Sequence, residues 1–129
     1  AIITEKALIC AQSGINLCVD LDIPDRLSVE KIHLCSIFGN LLDNAINACK
    51  LTDSAEQPII NLRSTVDGDY LFIKSTNPSS KPPKKRMPGR GYGSRILTDL
   101  AARYKGEYRG EYNDGVFTAV VLLLALDGD

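Results

Sequence analysis

Two hydrophobic periods alternate along the chain. Residues 1–12 (AIITEKALICAQ) place Ile2, Ile3, Leu8, Ile9 and Ala11 on a rough helical face, and Ser13-Gly14 ends it. Ile15, Leu17, Val19 and Leu21 then alternate with polar positions, which predicts a half-buried strand before the turn at Pro24-Asp25. Helical spacing returns over residues 28–50, where Ile32, Cys35, Phe38, Leu42, Ala45 and Cys49 form one stripe predicted to be buried. Ser28 with Lys31 makes half a capping box at its start, and Glu30 suits the positive end of the helix dipole. Residues 58–65 and 70–75 read as strands around Asp67-Gly68-Asp69. A helix is expected over residues 95–103, with Ile96, Leu97, Leu100 and Ala101 as its apolar side. Residues 107–112 and 116–126 form a hairpin over Asn113-Asp114-Gly115.

The expected order is helix, strand, long helix, strand, strand, loop, helix, strand, strand. Hairpins dominate and the strands do not alternate with helices, so a doubly wound parallel fold is excluded. The fold class is α+β: a two-layer sandwich, its mixed and mostly antiparallel sheet covered by helices on one face. The loop runs from Asn77 to Ser94, holds four of the six prolines and has no apolar period. A loop that long inside a domain is usually functional or disordered.

The chain has 129 residues, enough for one domain, and 44% are hydrophobic, enough for a core. Fifteen Lys and Arg against sixteen Asp and Glu give a net charge of −1, with no general pull toward nucleic acid or an acidic membrane. No apolar run approaches the ~20 residues of a membrane helix, and no secretory signal opens the chain, which reads as a piece of something longer. Cys10, Cys18, Cys35 and Cys49 form no CxxC pair, and His33 is the only histidine, so no zinc set is available. All four cysteines are expected to be buried, reduced thiols.

Two stretches carry candidate chemistry. On the long helix, Asn40, Asn44 and Asn47 follow at spacings of four and three, which puts their amides on one face. Asparagine is a mediocre helix former. The ridge is either a solvated polar face or a grip on a triphosphate and its Mg²⁺, whose oxygen appetite an amide carbonyl meets while the NH₂ donates to phosphate. The second stretch is Gly89-Arg90-Gly91-Tyr92-Gly93-Ser94, at the junction of loop and helix. It is either a flexible turn or a place where backbone N–H groups and a helix start approach an anion. It lacks the GxGxxG spacing and βαβ setting of a dinucleotide fingerprint.

In this order the two stretches resemble a known family. IFGNLLDNAINA is similar to the N box, and GRGYGS to the second glycine box, of the GHKL superfamily with its Bergerat fold. The likeness is nearest to the ATP-binding catalytic domain of sensor histidine kinases in the peptide- and quorum-sensing Gram-positive branch, with Val116-Phe117-Thr118 as the final strand element. It covers about Lys6 to Leu126. It implies binding of Mg·ATP and donation of the γ-phosphate to a histidine on a separate dimerisation domain. Asn44 would coordinate Mg²⁺. Asn40 stands where ATP-hydrolysing relatives place a glutamate base. Asn47, Asn77, Arg86, Gly89, Arg90, Gly91, Gly93 and Thr118 would contact nucleotide, and residues 77–93 would form a lid. Residues 1–12 would be the tail of the dimerisation helix or its linker, and residues 13–129 the catalytic domain. The partners implied are that phosphotransfer domain, a downstream response regulator and a second copy in the full-length dimer, this piece alone being a monomer. The location implied is a cytoplasmic domain of a membrane receptor.

The chain departs from the family pattern at several places. The D-x-G-x-G glycine box is absent, and Asn77 offers a neutral oxygen where its aspartate would meet the adenine amine. Many relatives have lysine where Asn47 stands, and leucine where Ser94 stands. Thr118 is equally an ordinary strand threonine. A second function keeps the fold without the enzyme, as a protein-docking or anti-sigma-like module. A third reads KPPKKR as a nucleic-acid contact, but no aromatic is interleaved there and nucleic acid is not expected as a partner. His33 lies within the N-box helix and is read as a polar helix residue, not as the phosphoacceptor.

Overall fold

Apolar residues at every second position give the strands one dry side, and helices with apolar stripes cover it. The computed structural model describes residues 2–52, 56–80 and 91–125. These form α1 (Ile2–Gln12), β1 (Asn16–Leu21), α2 (Lys31–Leu51), β2 (Ile59–Asp67), β3 (Tyr70–Pro78), α3 (Gly91–Arg103), β4 (Glu107–Asn113) and β5 (Val116–Leu124). The element order is the one the hydrophobic periods predict. The sheet runs β1-β2-β3-β5-β4, with β1 and β2 parallel and every other pair antiparallel. The parallel pair needs a long crossover, which α2 supplies, while tight turns join the hairpins. At Asp114 and Gly115 φ is 48° and 80°, the doubly left-handed backbone of a two-residue hairpin turn.

One face of the sheet is the core. Leu71 stands opposite Leu123, Ile73 opposite Val121 and Ser75 opposite Ala119, all buried. Phe38, Leu42, Ala45 and Cys49 of α2, Leu97 and Ala101 of α3, and Cys10 of α1 join the same buried cluster. Each fully buried large side chain here, such as Leu42 or Ile73, contributes roughly 1.5–3 kcal/mol. Phe72, Lys74 and Thr76, with Leu122, Val120 and Thr118 opposite them, form the other face.

The structure corrects several details. The stripe of α2 is dry only from Ile37 on; Ile32 is 72% exposed and Cys35 is exposed, on a flank of the helix turned away from Leu34, which packs against the core in the same stretch. Cys18 also faces solvent, on an edge strand, so two thiols are buried rather than four. Burial pushes the Cys10 and Cys49 thiols up, Cys49 to about 11 with a smaller contribution from nearby Cys10, so neither is a thiolate near neutrality. Ser28 does not cap α2. Its N–H and hydroxyl both donate to the Ala125 carbonyl, at 2.7 and 3.1 Å, and Glu30 takes the cap position with no side-chain cap bond.

The loop is shorter than its composition suggests. β3 continues through Asn77 and Pro78, and Ser79 still donates to the Gly115 carbonyl at 2.8 Å. α3 begins at Gly91, not Arg95: the first-turn N–H groups need no intrahelical partner, so a glycine-rich start is tolerated there.

Both shorter helices end in Schellman turns. Ile15 and Gly14 donate back to Cys10 and Ala11, with Gly14 at φ 72°. Gly106 and Lys105 donate back to Ala101 and Ala102, but the left-handed position is Lys105, at φ 56°. A side chain there is strained where glycine is not. Lys105→Gly should therefore stabilise the domain by about 0.5–1 kcal/mol, read as a higher urea midpoint with unchanged slope.

Candidate functional site

Contacts at the two ends of the sheet fix the sense of the helices. The segment entering α2 is held at the end of β5 by Ser28 and Ala125, and the helix runs toward Pro58, with Cys49, Lys50 and Thr52 bordering the hollow that Pro58 shares. α3 runs the opposite way. Its far end meets the end of β5, where Leu124 donates to the Tyr104 carbonyl at 2.8 Å. Near its start, Ser94 meets the Tyr108 hydroxyl, and an added Cβ on Gly110 would stand 3.1 Å from that same hydroxyl. Burial raises the Tyr108 phenol, and the Ser94 hydrogen bond lowers it in part.

His33 marks the side of α2 that faces α3. Its Nδ1 shares a hydrogen bond with the Tyr104 hydroxyl, whose oxygen accepts from the Glu30 N–H at 3.2 Å. His33 is therefore engaged in joining the start of α2 to the end of α3. Asn40 and Asn44 follow about two and three helical turns further on, at the same azimuth. With the helices antiparallel, the amide ridge climbs toward the level at which α3 begins.

That end of the sheet also carries Asn77. It stands opposite Phe117 on the helix-covered face and is 4% exposed. Gly110, whose added Cβ would stand 2.7 Å from the Phe117 ring, ties this region to the Ser94 end of α3. Asn44, Asn77, Gly91 and Gly93 thus belong to one end and one side of the molecule.

The amides differ in their freedom. The Asn40 NH₂ donates to the Ser36 carbonyl and hydroxyl, at 2.7 and 3.3 Å, which leaves its oxygen as the free end. An amide oxygen accepts hydrogen bonds but takes no proton near neutrality. Asn44 is half-buried and Asn47 exposed, and neither side chain has a hydrogen-bond partner among the described residues. Asn77 donates through Nδ2 to the Pro78 carbonyl at 2.8 Å.

Thr118 is not brought to this group. It pairs with Thr76 and Glu111 on the opposite face of the sheet, because register assigns the helix-covered face to Phe117 and Ala119. A one-residue change in reading a strand moves a side chain across the sheet. Arg86, Gly89 and Arg90 lie outside the described residues. Two features escaped the sequence reading. Tyr104 has no motif to announce it. Ser75 could have been found as a polar residue alternating in phase with Leu71, Ile73 and Asn77.

Two shallow hollows occur at the Pro58 rim, of about 270 and 290 Å³. The second includes Asn77, and neither carries Asn40 or Asn44. The ridge itself, beside the path from β3 to α3, is the better candidate on chemical grounds. Among the described residues no group of three His, Cys, Asp or Glu could hold a metal, so any ion here would rest on amide and ligand oxygens.

The model of the GHKL domain family matches residues 29–124. No curated protein matches the chain. Among solved structures, the nucleotide-free catalytic domain of histidine kinase ThkA superposes with a TM-score of 0.74 at 17% identity, over 95% of this chain and 90% of that one. A histidine kinase from Burkholderia phymatum gives 0.76 at 18% identity, over 98% and 66%. Full-length ShkA in complex with AMPPNP gives 0.73 at 16%, over 98% and 30%. At these identities the likeness establishes the fold, and the chain spans only part of the longer kinases.

Proposed function

Because the chain belongs to the GHKL domain family, we propose that it is the ATP-binding catalytic portion of a sensor histidine kinase. In this reading it binds Mg·ATP and presents the γ-phosphate to a histidine on a separate dimerisation domain. The observation that carries the reading is the shared position of the amide ridge, Asn77 and the glycine start of α3, at one end of the helix-covered face. The AMPPNP complex of a structural neighbour supports the choice of nucleotide.

The residues fit the ion. Asn44 offers a half-buried carbonyl oxygen that no described residue occupies, the hard neutral donor Mg²⁺ accepts beside phosphate oxygens. Bound Mg²⁺ would neutralise phosphate charge and orient the γ-phosphate. Asn40, its NH₂ held by Ser36, has only a non-basic oxygen left to offer. It can position a group but cannot take a proton from water, which spares the γ-phosphate for transfer. Asn47 lies further along the ridge and would contact phosphate. Gly91 and Gly93 free the backbone at the start of α3, whose N–H groups and dipole favour an anion. Asn77 accepts from the base. Arg86, Gly89 and Arg90 belong to the proposed lid.

α1 is then the end of the helix leading from the dimerisation domain. Its Lys6 is paired with Asp43 at 2.6 Å, next to Asn44. The partners proposed are that domain, a response regulator and a second copy of the full protein, a receptor in the cell membrane. No helix among the described residues is long and apolar enough to cross one.

Calorimetric titration with ATP and ADP tests the reading. Saturable binding in the ~1 μM–1 mM range typical of enzyme substrates, at least tenfold weaker in EDTA, is expected. No binding at millimolar ATP would overturn it and leave a protein-docking module of the same fold.

A further inference from the structure

Asp43 immediately precedes Asn44, and its only ion pair among the described residues comes from another helix: the Lys6 ammonium of α1 reaches its Oδ1 at 2.6 Å. Within α2 the positions three and four residues away are Gly39, Asn40, Ile46 and Asn47, none of them cationic. The Lys6 side chain is 16% exposed and that of Asp43 is 54% exposed. A lysine so largely covered needs its partner, whereas the carboxylate keeps one side open to solvent.

The packing of α1 explains the match. An added Cβ on Gly39 would stand 3.7 Å from the Ile2 side chain. Four residues on along both helices, Lys6 meets Asp43, so α1 runs beside α2 in the same direction and in step with it. Viewed down α2 at about 100° per residue, Asn44, Asn40 and Asn47 span an arc of about 60°, and Asp43 stands about 40° beyond Asn47, on the flank that α1 covers. The amide ridge is thus bordered by α3 on one side and by the Lys6–Asp43 pair on the other.

Resting on the nucleotide-site reading, we infer that α1 sets the phosphate affinity of the amide ridge, because Lys6 neutralises the Asp43 carboxylate beside Asn44. An unpaired carboxylate there repels a polyphosphate, and the ammonium cancels that repulsion. Lys6 is a positioning residue that acts through Asp43 without touching the nucleotide. In the proposed function α1 arrives from the dimerisation domain. A displacement of α1 that draws Lys6 away exposes the Asp43 charge and weakens nucleotide binding. By linkage, bound nucleotide favours the docked α1 to the same extent.

Calorimetry with ADP, in Mg²⁺ and in EDTA, tests this on the wild type, Asp43→Asn, Lys6→Met and the double variant. Asparagine keeps an acceptor for the Lys6 ammonium, and methionine keeps most of the lysine's length, so charge is the main change. In about 0.01 M salt, where charges act over about 30 Å, metal-free ADP should bind Asp43→Asn about fivefold more tightly and Lys6→Met about fivefold more weakly. Mg·ADP, which carries less negative charge, should shift about twofold in the same directions. The double variant should return to the wild-type affinity, and about 1 M salt should erase both shifts. A pair that only shapes α2 would give another pattern: both single variants weaker, by like factors with and without metal, and insensitive to salt. That pattern, or unchanged affinity in both single variants, would overturn the inference. A wild type that binds ADP under neither condition overturns the underlying nucleotide reading instead, and the inference with it.

Discussion

Gly106→Ala should lower the stability of the domain by about 3–5 kcal/mol, the upper range for overpacking and among the largest single-residue effects. A Cβ at this position would stand 1.6 Å from the Leu122 carbonyl oxygen and 2.5 Å from its carbonyl carbon. Both are backbone atoms of β5, in the ladder that pairs Glu107 with Leu122. No rotamer change relieves such a clash; β4 must move off β5. The same N–H donates to Ala101 and closes the end of α3, so that cap is strained as well. Gly39 supplies the contrast. An added Cβ there meets only the Ile2 side chain, at 3.7 Å, in ordinary contact. Gly39→Ala, inside a helix, should be neutral or stabilising by up to about 1 kcal/mol. Urea unfolding of both variants reads the two signs, and a tolerated Gly106→Ala would mean that β4 packs differently.

Asn44→Ala should reduce Mg·ADP affinity about 100-fold, close to 3 kcal/mol, while leaving the unfolding free energy from urea titration within about 0.5 kcal/mol of the wild type. The two expectations come from one fact. The Asn44 side chain is half-buried and makes no hydrogen bond among the described residues, so folding gains little from it. Its value lies in what it is free to ligate. The affinity for ADP in EDTA should change much less, because a lost metal ligand matters only when the metal is present. Calorimetry with and without Mg²⁺, next to an unfolding curve, separates loss of the ligand from loss of the fold. Equal losses with and without metal would reassign Asn44 to a direct phosphate contact.

The fold was largely legible because its signals are local and repeated. Alternation in residues 59–67 and 70–78 and the 3.6-residue stripe from Phe38 to Cys49 each report one buried face. Asp114-Gly115 reports its turn through backbone conformation alone. The misreadings fall where a residue's surroundings come from elsewhere in the chain. Ile32 and Cys35 fit the helical stripe, yet the stripe does not know which flank the core covers. Ser28 has the composition of a cap, but the Ala125 carbonyl, far away in sequence, takes both of its donors. The glycines at 91 and 93 read as loop because propensity weighs against them in a helix, while the tolerance of a first turn decides the matter.

The candidate site was legible as two motifs, not as a geometry. Spacing puts Asn40 and Asn44 on one ridge but says nothing of where α3 starts. That follows from Ser28, Tyr104 and Ser94 fixing the opposed sense of the helices. Thr118 shows the cost of analogy without register, since one position along β5 decides which side of the sheet it faces. Ser75 shows the reverse: a polar residue in phase with the core is visible in the sequence, but only the folded molecule reveals that its hydroxyl lacks a partner.

A crystal structure with Mg²⁺ and a non-hydrolysable ATP analogue tests the central claim most directly. The Asn44 Oδ1 oxygen should lie about 2.0–2.1 Å from the ion, with the base against Asn77 and the phosphates beside the start of α3. An analogue bound elsewhere, or an ion held without Asn44, would contradict the account.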